Sequence, residues 1–117
     1  MGKFLEGWER AHAAAEEREA EKRRRAERTA NALKELAEAL AEDKDELAKR
    51  DLHLRVEHGA LVLRRAVEPM AGMTFDPDTG RFRIHTYAVT EGNTEIDAES
   101  VEECALKLGE YVNSLRV

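Results

Sequence analysis

The sequence predicts an α+β chain: a long, coiled-coil-like N-terminal helix, an antiparallel sheet of four to five strands, and a C-terminal helix packed on that sheet. Three observations carry this. From Trp8 to Arg50 there is no glycine or proline and only one β-branched residue, Thr29, among 43 residues rich in Ala, Leu, Glu, Lys and Arg, the strong helix formers. At Asp51 alternating apolar and polar residues with turn signals take over, which is strand patterning. After Ser100 an apolar stripe of helical spacing returns. Residues 1–50 therefore read as a helical rod for oligomerisation, and 51–117 as a small sheet with its closing helix.

The rod divides by its apolar residues. Phe4, Leu5, Trp8, Ala11 and Ala15 form an apolar tip on one face. Residues 16–28, EEREAEKRRRAER, have only alanine as an apolar residue. Glu19 can pair with Lys22 and Arg23, and Glu21 with Arg24 and Arg25, each pair adding about 0.2–0.5 kcal/mol. Then comes a seam with steps of four and three: Ala26, Ala30, Leu33, Ala37, Leu40, Lys44 and Leu47. This is a heptad register interrupted by Lys44.

A helix of 43 residues is roughly 64 Å long, whereas the 67 residues after Arg50 fold into a body about 28 Å across. The rod must overhang. The expected oligomer interface is thus Phe4, Leu5, Trp8, Ala26, Ala30, Leu33, Ala37, Leu40 and Leu47, in a homodimer or higher homo-oligomer. Residues 22–28 carry a net +4 and 35–46 a net −5, which favours an antiparallel pair centred between Asn31 and Ala32. Two alternatives compete: the seam packs on the chain's own sheet, or the helix breaks near Asp43, with Asp43 and Glu46 forming a capping box.

In the sheet region, Leu52, Leu54 and Val56 alternate with polar residues, His58-Gly59 suits a two-residue turn, and Leu61, Leu63 and Val67 continue the apolar face. Glu68-Pro69 is expected to end that strand. Met73–Asp76 and Arg81–Thr90 are expected to form a second hairpin around Asp-Pro-Asp-Thr-Gly. Glu91-Gly92-Asn93 makes a further turn, before a short edge strand at Thr94–Ile96. Asp97 or Ser100 caps the last helix, Ser100 with Glu103 fitting a capping box. Its stripe is Val101, Ala105, Leu108, Val112 and Leu115, flanked by Cys104 and Tyr111, and Gly109 is expected to mark close packing on the sheet.

Composition narrows the function classes. The chain is acidic, at formal net charge −6, and 38% charged with 5% aromatics. This thin core gains from burial between subunits, and the net charge opposes a nucleic-acid platform over the whole surface. The single cysteine, Cys104, excludes an intramolecular disulfide and a cysteine metal cage. It reads as an unreactive thiol in a cytoplasmic protein. No apolar run of membrane-spanning length is present, and the first residues lack a signal peptide's hydrophobic stretch.

No catalytic, cofactor-binding or metal-ligating motif emerges, so no enzyme activity, cofactor or metal is expected. His53 and His85 form half a metal site if their strands are neighbours, without the spacing that would support one. The segment Lys22, Arg23, Arg24, Arg25 and Arg28 is a candidate phosphate contact, with acidic residues interleaved and no base-reading pattern. Its order, a basic helix running into a heptad seam, is weakly similar to that of basic-zipper proteins. Arg81, Arg83 and Tyr87, with Arg55 and Arg64, lie on the polar sheet face and suit a binding patch.

The expected function is a non-enzymatic protein–protein interaction protein with an unidentified protein partner and no membrane association. It would be an adaptor, a chaperone-like binder or an inhibitor of a larger assembly, a phage-encoded one included. The alternative is a nucleic-acid-associated protein using residues 22–28.

Overall fold

Helix formers dominate α1, which runs from Lys3 to Ala41 and takes in Gly7 near its start, in the computed structural model, which describes residues 2–87 and 94–115. The rod does break: α2 is a separate six-residue helix, Lys44–Lys49. No glycine or proline causes this, and the capping box is not made. The Asp43 side chain makes no capping bond, and its carbonyl instead accepts from Leu47 N at 3.0 Å. Asp51, at φ 59, then turns the chain into the sheet, the left-handed conformation that Asp tolerates better than most residues.

Five antiparallel strands follow in sequential order: β1 Leu52–Glu57, β2 Ala60–Arg65, β3 Glu68–Asp76, β4 Arg81–Thr86 and β5 Glu95–Ala98. In the first hairpin Leu54 faces Leu63 and Val56 faces Leu61. Its turn residues His58 and Gly59 have φ 48 and 75, the two positive values that a tight turn matched to strand twist needs.

Glu68-Pro69 opens β3 rather than ending a strand. The reversal sits earlier, at Ala66 (φ 55), leaving Val67 exposed instead of on the core face. Pro69 is tolerated because the β2–β3 register shifts between Leu63 and Arg64, and an irregular position spares the missing N–H. The expected strand residues Ala88–Thr90 and the turn Glu91–Asn93 lie outside the described residues. Buried Thr86 is satisfied across that interval by Thr94, whose carbonyl accepts from Thr86 N at 2.9 Å.

The last helix, α3 (Val101–Ser114), begins where expected: Ser100 Oγ accepts from Glu103 N at 3.1 Å. The return bond of a capping box goes instead to Glu99, whose N–H reaches Glu103 Oε2 at 3.3 Å. The hydrogen bond from Lys107, then that from Glu99, hold the Glu103 carboxyl below its ordinary value of 4.5. A carboxyl lowered in the folded state stabilises above its unfolded pKa, and the gain is lost as pH falls through the folded value. Melting temperature should therefore fall on acidification below about pH 4.5, and Glu103→Gln should flatten that slope, by a small amount for so exposed a group.

The core lies between the sheet and a helical layer. Leu61, Leu63, Met73, Ile84 and Phe82 face Leu33, Leu36 and Leu40 of α1 and Cys104, Leu108 and Val112 of α3. Gly109 faces no close neighbour. A Cβ there would meet nothing within 4 Å, so the expected close packing on the sheet is absent. Gly109→Ala should accordingly raise stability by about 1 kcal/mol, the helix-interior difference between the two residues, measurable by urea unfolding.

Candidate interaction surface

α1 is about 58 Å long at the standard helical rise, and the molecule measures 71 × 30 × 26 Å. Its second half is absorbed by the body. Leu33 and Leu40, expected in an oligomer seam, are buried instead in the chain's own core, with Ala37 and Leu47 packed partly against it. Leu36, outside the heptad seam, is fully buried. The own-sheet alternative therefore holds from Leu33 onward, because a helix laid on a sheet buries whichever stripe faces it.

The first half is different. From Lys3 to Arg24 no side chain is buried, and every ion pair among the described residues of that stretch runs along the helix. This part projects about 33 Å. At its end Phe4 is 84% and Trp8 54% exposed, with Leu5 beside them. The Trp8 ring stacks on His12 with centroids 4.8 Å apart, which orders the indole without covering its outer face. Ala26 and Ala30 are exposed as well.

The basic segment is partly neutralised. Arg24 bonds Glu21 at 2.7 Å, Arg28 approaches the same carboxylate at 3.7 Å, and Arg25 leaves the helix to pair with Asp78 at 2.9 Å. The two arginines beside Glu21, Arg24 foremost, hold its carboxyl below the ordinary value. Glu19, Lys22 and Arg23 make no ion pair at all among the described residues, although their spacing would permit one.

On the polar sheet face Arg81 and Arg83 line one hollow with His85 and Asp97, and both are paired with carboxylates. Arg64 is locked on Glu57 at 2.9 Å, Arg81 on Glu99 at 3.2 Å, and Arg83 between Asp97 at 3.1 Å and Glu95 at 3.5 Å. Tyr87 lies over Gly72, its hydroxyl 3.0 Å from where a Cβ would stand. His53 and His85 are on β1 and β4, with two strands between, so they are not neighbours. His85 contacts Thr74 at 3.1 Å instead. Among the described residues no three His, Cys, Asp or Glu side chains are grouped to hold a metal ion.

On the helical side of the sheet, α1 lies over β2 and β3, α3 over β4 and β5, and α2 against β1. The short α2 covers only the start of β1: Leu52 is buried, Leu54 half-buried, and Val56 70% exposed. Val56 shares a face with its directly paired neighbour Leu61, so it belongs to the core side yet lacks a cover. Its alternation was readable in the sequence; its exposure follows from the shortness of α2.

Burial pushes the Cys104 thiol up to about 11, away from the thiolate that a nucleophile needs. No described helix is long and apolar enough to cross a membrane. Compared with known proteins, the chain matches no family model, no curated protein and no solved structure.

Proposed function

We propose that this is a non-enzymatic, cytoplasmic interaction protein that self-associates through the projecting half of α1 and engages a further protein partner. It would act as an adaptor, a chaperone-like binder or an inhibitor of a larger assembly. One observation supports the reading above the others: a helix that projects about 33 Å from its body and ends in Phe4, Leu5 and Trp8, all exposed.

Such a helix gains little from its own subunit, because isolated helices owe most of their stability in proteins to packing of an amphipathic face. Phe and Trp side chains each bury about 150–250 Å² when covered, at roughly 25 cal/mol per Å². A nucleic-acid role would rest on Lys22 and Arg23, since the other cations of the segment are held in ion pairs.

Sedimentation over a range of concentrations tests self-association. The expected result is a concentration-dependent species of twice the 13.2 kDa chain mass. A single 13.2 kDa species throughout would remove the reading.

A further inference from the structure

We infer that two copies pair through antiparallel α1 helices centred between Ala20 and Glu21, each aromatic tip docking on the uncovered Leu54–Val56 end of the other copy's β1. The inference rests on the self-association proposed above and adds its orientation, register and docking site.

The flank of α1 comes first. Ala32, Glu35 and Ala39 line the groove toward α3, together with Phe75, Phe82 and Val101. At 3.6 residues per turn the opposite flank carries Ala26, Ala30, Ala37 and Ala41. Since α1 lies over β2 and β3 with α3 along its other flank, this small-residue flank looks toward β1, whose Val56 end α2 leaves without cover. Followed into the projecting half, the same flank carries Leu5, Trp8, His12, Glu19 and Arg23. A second helix laid there would complete the helical layer and have apolar groups at both ends.

Charge selects the register. With the centre between Ala20 and Glu21, Glu19 of each copy meets Lys22 and Arg23 of the other, twice over. Ala15 then lies level with Ala26, and His12 with Thr29, one residue from Ala30. A shift of one layer in one direction sets Glu19 against Glu19. A shift in the other sets Lys22 and Arg23 against their own copies. The three residues involved are among those of α1 that the single chain leaves without an ion pair. A parallel pair also sets like charge on like.

The length agrees. The Arg25–Asp78 ion pair, at 2.9 Å, fixes α1 against the β3–β4 turn. From Asp76, where β3 ends, back to Met73 is roughly 10 Å of strand, and the turn out to Asp78 extends this to about 15 Å, the rise of about ten helical residues. This brings Leu33 to Leu36 level with the row Met73–Leu61–Val56. In the chosen register Trp8 of the second copy falls opposite Leu33, beside Val56. The centre between Asn31 and Ala32 expected from the sequence would instead crowd the second copy against Leu33 and Leu36, which the chain's own sheet already covers.

Disulfide trapping on the full chain tests this. Ala15→Cys and Ala26→Cys are single exposed or half-exposed helical substitutions, and buried Cys104 stays out of the exchange. Mixed under mild oxidation, the two variants should link to each other. Neither should link to itself, since equivalent positions would lie about 16 Å apart, beyond the roughly 7 Å limit for a disulfide. In the same register Glu19→Lys should weaken association about tenfold at low salt, with mixing against Lys22→Glu/Arg23→Glu restoring it.

Sedimentation of the same variants separates the two levels. A 15–15 link shows a parallel pair, and a link between Ala26→Cys and Ala37→Cys shows the centre near Asn31. Either overturns this inference while leaving self-association standing. A monomer at all concentrations overturns both.

Discussion

Leu36→Ala is expected to cost 2–5 kcal/mol, the usual range for truncating a fully buried leucine. Leu36 is completely buried, and it sits where α1 crosses the sheet among Leu33, Leu40, Leu63 and Met73. α1 touches β2, β3 and α3, so a cavity there loosens both helices against the sheet at once. Domains of this size are stable by about 5–15 kcal/mol in total, and the variant would lose a large share. Leu47→Ala, at a half-buried position on the six-residue α2, should cost clearly less. Urea unfolding of both variants, compared at unchanged slope, checks the order. Equal losses would mean that α2 anchors the helical layer to the sheet as firmly as α1 does.

Leu36 also shows where the sequence stops being legible. Leucines at 33, 36 and 40 fit a helix packed on a sheet; positions 26, 30, 33, 37 and 40 fit a heptad seam. The two stripes share Leu33 and Leu40, and periods of 3.5 and 3.6 drift apart by only about 20° per heptad. Over two turns sequence spacing cannot separate them, so the face actually buried depends on a sheet that is distant in sequence. The first hairpin was legible down to its pairs, because alternation and a His-Gly turn are local. The start of β3 was not, because Pro69 is a strand breaker except at an irregular register, and that irregularity belongs to β2 and β3 jointly. Gly109 misled for the opposite reason: its cost in a helix is local, and no compensating contact exists. The apolar tip was readable from Phe4, Leu5 and Trp8 alone. The exposed apolar end of β1 at Val56 was not, since it exists only because α2 ends before covering it.

Replacing both Phe4 and Trp8 with Ala is expected to abolish the proposed dimer at micromolar concentration while leaving the body folded. Buried aromatic anchors of interfaces cost about 2 kcal/mol or more each when truncated. Two per subunit in a symmetric pair multiply to well over a thousandfold in dissociation constant, at 1.4 kcal/mol per tenfold. Neither side chain touches the core of its own subunit: both are exposed, and the core cluster begins at Leu33. Unfolding measured at high dilution, where the parent is monomeric, should thus be the same for parent and variant. At high concentration the parent should melt higher and the variant should not, because only the parent gains stability by mass action. If the double variant sediments as the parent does, the tip is not what holds two copies together, and the association surface must be sought along Ala15 to Ala30. If it unfolds more readily even at dilution, the tip instead supports its own subunit, contrary to its exposure.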